Sequence, residues 1–314
     1  MIVFGPVPSR RLGRSLGINN IPPKICSYNC VYCQVGRTSS SYLSLERKTF
    51  YEPKAILNEV KIKIDEIKSK GEDFDYITFV PDGEPTLDSN LRDEILALKQ
   101  FEYPVAVITN SSLLWDEKVQ DDLMLADYVS VKVDTVVESK WKKINRPNKK
   151  FNFELMLNGV KEFSKKYKGV LTTETMVVKD INDNEEETIE LGNYLKELNA
   201  NTSYLMIPLR PPAEYWVKVP DEKVIVKIYN TLTKALPKVE LLIFPESNDF
   251  ISTGNIEDEL LSITAVHPMR EDSVKEFLKQ KNKDWDIILS LITKKKIREI
   301  DYLNQKFYAR RFIN

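Results

Sequence analysis

The sequence predicts an α/β protein built on a parallel sheet, and three observations predict it. Between Ser15 and Ile207, runs of β-branched and aliphatic residues alternate with stretches of helical periodicity, giving about six strands, each followed by a helix. Such alternation calls for parallel strands joined by helical crossovers. Polar side chains recur where those strands end, the edge at which parallel α/β folds carry their sites. From Gly254 the alternation stops, and three short helical stretches lead to an extended pair, so a second, smaller module is expected.

After a glycine- and proline-rich opening, Ser15–Asn19 reads as the first strand and feeds Cys26. A helix is predicted from Pro53, a favoured first-turn residue, through Ile56, Val60, Ile64 and Ile67 to a stop at Gly71. Tyr76–Val80 reads as a strand, Asp88–Gln100 as a helix and Pro104–Thr109 as a buried strand. The pattern repeats with Trp115–Met124 helical, Tyr128–Val133 extended, Phe153–Tyr167 helical, Val170–Val178 extended and Asn184–Leu198 helical. Tyr204–Ile207 closes the series, and Val239–Phe244 reads as a weaker seventh strand. Periodicity does not say whether the sheet stays open or curls.

Composition describes an ordinary globular protein: 314 residues, 42% hydrophobic, 30% charged, net charge −1. A near-zero balance favours no class of partner for the chain as a whole. No apolar run approaches the roughly 18 residues a spanning helix needs, so no membrane role is expected. Ser9-Arg10-Arg11 resembles the start of a twin-arginine export signal, but Ile18-Asn-Asn-Ile-Pro-Pro23 follows in place of an apolar region. Unpaired thiols suit a reducing compartment, and a cytoplasmic location is expected.

All three cysteines lie within eight positions, Cys26-Ser-Tyr-Asn-Cys30-Val-Tyr-Cys33. The odd number, with no partner elsewhere, argues against disulfides. A structural zinc site takes four Cys or His ligands, and the one histidine, His267, is distant in sequence and precedes a proline. An iron-sulfur cluster takes four thiolates as a rule, so three would leave one iron open to another ligand.

This Cys-x3-Cys-x2-Cys loop, with Tyr32 before the last cysteine, resembles the cluster loop of the radical S-adenosylmethionine (radical SAM) enzymes. The text around it, Val3–Gly17 and Pro22-Pro23-Lys24, resembles the Fe-S oxidoreductase branch related to wyosine-type tRNA modification enzymes. The resemblance implies a partial TIM-type (β/α)6 barrel over residues 1–245. It also implies a 4Fe-4S cluster on Cys26, Cys30 and Cys33, with S-adenosylmethionine on the open iron. One electron, from a donor of the ferredoxin or flavodoxin type, then yields methionine and a 5'-deoxyadenosyl radical. Asp82-Gly83-Glu84-Pro85-Thr86 resembles the stretch that contacts the methionine amino group, with Glu84 as the nearest contact. Pro81-Asp82 stands where many members have a further glycine. Asn110, Ser130 and Glu174 occupy places where related enzymes touch the ribose or the methionine carboxylate, and Lys132 pairs with that carboxylate or with Asp134. The adenine pattern of the superfamily is not visible near Tyr204–Pro208, and no adenine residue is assigned. With no further cysteine, a cysteine-bound auxiliary cluster is excluded.

Arg10, Arg11, Arg14, Arg146 and Arg210 are candidates to meet an anionic substrate, because clustered positive charge concentrates anions. Residues 255–314 read as three helices and a hairpin, the order of a winged helix. From Arg270 to Asn314 there are 12 basic and 7 acidic residues, a net of +5, which leaves −6 for the rest. The basic side chains gather at the end of the third helix (Lys294, Lys295, Lys296, Arg298) and in the hairpin (Lys306, Arg310, Arg311), a pattern suited to nucleic acid. Three functions follow: radical modification of an RNA nucleotide, foremost in tRNA; radical modification of a protein, peptide or metabolite with the module as docking domain; or an Fe-S sensor that binds DNA without catalysis.

Overall fold

A computed structural model describes residues 2–252 and 254–311. Its larger part is an eight-stranded sheet whose spatial order follows the chain: β1 (Val3–Ser9), β2 (Gly13–Ile18), β3 (Tyr76–Phe79), β4 (Val105–Thr109), β5 (Tyr128–Lys132), β6 (Val170–Met176), β7 (Thr202–Met206) and β8 (Val239–Leu242). From β2 onward every neighbouring pair is parallel. The sheet curls into a half-barrel, consistent with the partial barrel expected. Helices α1 (Pro53–Lys68), α2 (Leu91–Leu98), α3 (Glu117–Leu123), α4 (Glu138–Ile144), α5 (Phe153–Lys166), α6 (Glu185–Glu197) and α7 (Glu222–Ala235) form the crossovers. The face predicted for α1 is the buried one: Ile56, Val60, Ile64 and Ile67 all enter the main core. Val239–Leu242 is a full member of the sheet, paired in parallel with β7.

The glycine- and proline-rich opening is a strand rather than a loop. β1 pairs antiparallel with β2, with a register shift between Phe4 and Val7. As an edge strand it tolerates Pro6 and Pro8, whose missing N–H groups cost no ladder bond there. Gly17 admits the Phe4 ring: an added Cβ would lie 2.1 Å from Phe4 Cζ. α4 and α7 were not predicted: α4 buries only Trp141 and Ile144, too few for a stripe, whereas α7 does carry one, with Ile225, Ile228 and Leu232 facing the core.

The carboxyl-terminal part consists of α8 (Ile256–Val266), β9 (Met269–Arg270), α9 (Glu271–Lys279), α10 (Asp286–Thr293), β10 (Ile297–Tyr302) and β11 (Gln305–Arg310). Its three strands are ordered β10-β11-β9. Asn255 caps α8, its Oδ1 accepting from the Glu257 and Asp258 amides. This part shares its core with β1: Phe4 and Val7 pack with Phe250, Leu260, Phe277 and Tyr308. Phe250, in the stretch left between the two expected units, is 1% exposed and meets His267 and Phe277 edge-on. Among the described residues no helix is long and apolar enough to cross a membrane.

Candidate active site

The residues between the cysteines are anchors. Ser27 shares a 2.6 Å hydrogen bond with Ser112. Tyr28 is buried edge-on between Trp141 and Phe151, its hydroxyl accepting from Trp141 Nε1 at 3.1 Å. The Val31 amide donates to the Ile144 carbonyl at 2.8 Å, and the Tyr32 hydroxyl donates to Asp134. With these intervening residues held by their partners, Cys26, Cys30 and Cys33 stand on the wall of a cavity of about 250 Å3 at the carboxyl ends of the strands. Gln34, next along the loop, donates from Nε2 to Val266 O at 2.8 Å and accepts from Arg210 Nη1 at 2.8 Å.

Side-chain amides address two of the sulfurs. Cys26 Sγ accepts from Asn110 Nδ2 and from the Tyr28 amide, both at 3.5 Å, and Cys30 Sγ from Asn145 Nδ2 at 3.5 Å. Burial, then the Glu84 charge, pushes the Cys26 thiol up to about 12, and burial with Asp134 pushes Cys30 up as well. The chain therefore holds these as neutral thiols until an electrophilic metal takes the protons' place. No three His, Cys, Asp or Glu side chains among the described residues are grouped to hold a single metal ion, and no histidine lines the cavity. Three thiols around a space, with no histidine on its wall, fit a cluster with one open iron and do not make the four-ligand Cys/His set of a structural zinc site.

The 82–86 turn closes the second side. Gly83 is required by close approach: an added Cβ would lie 1.9 Å from the Ile25 carbonyl oxygen, and the Glu84 amide donates to that oxygen at 3.1 Å. Glu84 lines the cavity, but both its oxygens are engaged within the protein. Oε1 accepts from the Thr86 amide (3.1 Å) and from the Thr86 and Thr109 hydroxyls (2.6 Å each), and Oε2 from the Asn110 amide (2.7 Å). Glu84 thus clasps the turn to the end of β4. The open acceptor is Asp82, 3% exposed and on the cavity wall, whose Oδ1 has no partner. Burial, opposed by Lys24 and Arg310, raises its carboxyl to about 7. An orphaned carboxylate oxygen beside three thiols suits a ligand bearing an ammonium group.

On the third side, Glu174 gathers cations. Its Oε1 lies 2.7 Å from Arg11 Nη1 and accepts from Ser130 Oγ at 2.7 Å, while Oε2 is 3.4 Å from Lys132 Nζ. Burial opposes its ionisation, but Arg11, Lys132 and Ser130 overcome burial and hold the carboxyl at about 2. Lys132 therefore pairs with Glu174, not with Asp134 as weighed above, and its ammonium stands 5.4 Å above the Tyr32 ring.

Of the expected residues, the cavity wall unites the cysteines, Asp82, Gly83, Glu84, Asn110, Lys132 and Glu174, together with Arg10, Arg11 and Arg210. Three stand elsewhere. Ser130 is buried behind Glu174, because it shares a strand face with Lys132 but lies two residues further from the carboxyl end of β5. Arg14 sits at the start of β2, the opposite end of the strand from the cysteines, bound to Glu72 at 2.9 Å. Arg146 pairs with Glu214 at 2.5 Å and covers the Trp216 ring. Arg10 and Arg210 reach the cavity but are partly spent, Arg10 on the Leu242 carbonyl at 2.6 Å and Arg210 on Glu246 at 2.6 Å. His267 shares Glu246 at 2.8 Å. Sequence reasoning missed Asn145, which donates to Asp134 at 2.7 Å as well as to Cys30, and the wall methionines Met176 and Met206. Asn145 adjoins the flagged Arg146, but only α4 brings it under the loop.

A curled parallel α/β sheet with a three-thiol loop at its carboxyl edge defines a class, and residues 20–192 match the Radical SAM superfamily. The chain belongs to that superfamily; it is an enzyme, and its cofactors are a 4Fe-4S cluster and S-adenosylmethionine. It is 47% identical to the UPF0026 protein MJ1312 of Methanocaldococcus jannaschii over 98% of this chain and 96% of that protein. A more distant relative is the probable dual-specificity RNA methyltransferase RlmN of Endomicrobium trichonymphae, 26% identical over 66% of this chain and 59% of that one. The fold is shared with a radical SAM methyltransferase from Sphaerobacter thermophilus, with a TM-score of 0.57 at 13% identity over 73% of this chain and 66% of that one.

Proposed function

We propose that this enzyme modifies a nucleotide of RNA, foremost tRNA, by radical chemistry, in the cytoplasm and with a ferredoxin- or flavodoxin-type donor. One observation carries the substrate. Lys294, Lys295, Lys296 and Arg298 are all exposed in a row from the end of α10 into β10, on a part of the chain tied to the cysteine loop through Gln34. Phosphates select such an array, and its contacts set position rather than sequence. The helices and hairpin of residues 255–314 act in this reading as a winged-helix-like module that presents the RNA. The likeness to an RNA methyltransferase supports the same substrate class.

In the reading we favour, Cys26, Cys30 and Cys33 hold three irons of the cluster, and Asp82 receives the ammonium of S-adenosylmethionine. When bound and reduced, the pair supplies a 5'-deoxyadenosyl radical that abstracts hydrogen from substrate. The chain's own residues orient and shield. Glu84 fixes the turn that carries Asp82, Asn110 and Asn145 direct N–H groups at sulfur, and Arg11 and Lys132 offer positive charge to a carboxylate while Glu174 keeps them in place. Met176 and Met206 present an apolar wall that limits water near a reactive species.

The test is anaerobic reconstitution followed by dithionite and S-adenosylmethionine, with and without RNA from cells lacking the protein. RNA-stimulated 5'-deoxyadenosine, together with a nucleoside missing from those cells and restored in the reaction, is expected. Stimulation by a protein or small-molecule fraction and not by RNA would overturn the substrate.

A further inference from the structure

We propose that a second, basic cleft beside the cysteine loop is a track for single-stranded RNA, with phosphates inside it and a base stacked on Tyr215. The inference rests on the RNA reading above and deepens it by assigning the surface. The cleft, of about 600 Å3, is lined by Lys24, Arg37, Arg298, Arg310 and Arg311, with only Val35, Gly36, Pro212 and Ala213 between them. Among the described residues no carboxylate lies on that wall. Lys24 and Val35 also line the three-thiol cavity, so the two spaces share a wall.

Some of these cations are held in place by the protein. Lys24 Nζ donates to Gly36 O at 2.5 Å, Arg310 Nη1 to Leu261 O at 3.3 Å, and Arg37 pairs with Glu214 at 2.8 Å with its side chain 65% exposed. Arg298 reaches toward Gly36 from the hairpin: its Nη2 is 4.0 Å from the position a Cβ would take there. Arg298 and Arg311 are exposed and form no ion pair among the described residues. Five cations are brought together from three stretches of chain, with Arg37 offset by Glu214, and a polyanion relieves the repulsion that remains.

The second observation is aromatic. Tyr215 is 91% exposed, two residues beyond the wall residue Ala213. Its loop is pinned on both sides: Glu214 binds Arg37 and Arg146, and Trp216 lies under Arg146 at 6.0 Å. An aromatic ring offered to solvent two residues from the wall of a cationic groove suits unstacked bases, which every nucleotide supplies, better than it suits an acidic polypeptide, which has no aromatic face to stack.

The experiment is fluorescence anisotropy of reconstituted full-length enzyme with an unstructured RNA oligonucleotide over graded KCl. Wild type is compared with Arg298→Ala/Arg311→Ala, Tyr215→Ala, Tyr215→Phe and a remote control, Lys61→Ala on α1. Removing two phosphate contacts is expected to flatten the slope of log K against log salt by roughly 1.4, at about 0.7 per contact. Tyr215→Ala weakens binding about 5- to 150-fold with the slope unchanged, while Tyr215→Phe retains affinity. Lys61→Ala leaves both unchanged. Tight, salt-dependent binding kept by both test variants overturns the cleft and leaves the RNA reading standing. No binding by wild type overturns both. Competition by polyglutamate equal to that of RNA, with Tyr215→Ala silent, assigns the cleft to an acidic polypeptide and overturns the proposal.

Discussion

Replacing Glu174 by glutamine tests whether one carboxylate holds the cations at the cavity wall. Glu174 is 2% exposed and receives Arg11 at 2.7 Å, the Ser130 hydroxyl at 2.7 Å and Lys132 at 3.4 Å. Burial disfavours its charged form, yet these partners bring the carboxyl from 4.5 to about 2. That displacement corresponds to about 3 kcal/mol of stability. Because the folded pKa is depressed, the native state binds fewer protons than the unfolded chain. The contribution is complete above about pH 4.5 and is lost as the pH falls toward about 2, with roughly half remaining at pH 3. Glutamine keeps the shape but leaves the partly buried Arg11 and Lys132, 15% and 17% exposed, without their anion, a loss of about 3 kcal/mol. Urea unfolding of the cluster-free protein at pH 7, 5 and 3 reads both numbers. The variant should be about 3 kcal/mol less stable at pH 7, with the gap shrinking by pH 3. A difference under about 0.5 kcal/mol at pH 7, or one that does not shrink, refutes the pairing of Glu174 with Arg11 and Lys132 as the source of the charge balance.

Cys30→Ala should lose the iron-sulfur absorbance while far-UV circular dichroism stays native, and full iron retention would refute the ligand assignment. Gly83→Ala places a methyl against the Ile25 carbonyl. It should lower stability by roughly 1–3 kcal/mol in a thermal melt and reduce cluster occupancy, and unchanged values for both would show that the two loops have room to part. Burial and the neighbouring Asp88 raise Glu94 to about 9, so the native state holds an extra proton and loses stability as the pH rises from about 4.5 toward 9. Glu94→Gln should therefore gain on wild type in melts at pH 9 relative to pH 5, and an equal offset at both would contradict the extra proton.

Periodicity was enough to find α1 and the parallel strands, because each buries one continuous stripe or a β-branched run. It failed at β1, where Pro6 and Pro8 look like loop chemistry until the strand is known to lie at an edge. It failed at α4, whose buried residues are Trp141 and Ile144 alone; that helix is held by Tyr28 and the loop backbone. For the site, the cysteine spacing and strand-end rule placed most of the cavity wall. They could not separate Ser130 from Lys132, since both alternate with valines, nor tell that Arg14 begins its strand while the cysteines follow its end. Glu84 and Asp82 exchanged prominence for a similar reason: the number of acceptors already used by Thr86, Thr109 and Asn110 is visible only in three dimensions.

Gln34 gives the molecule a property that belongs to neither of its parts. One side-chain amide, adjacent to Cys33, bonds the Val266 carbonyl at the end of α8 and the Arg210 guanidinium above the sheet. Whatever free energy cluster assembly spends on ordering this residue is returned, in equal amount, by whatever seats the carboxyl-terminal helices, since coupling between two sites is reciprocal. Iron loading should slow amide exchange around Val266 and His267, and a ligand that steadies α8 should in turn slow the release of iron from a loop it never touches.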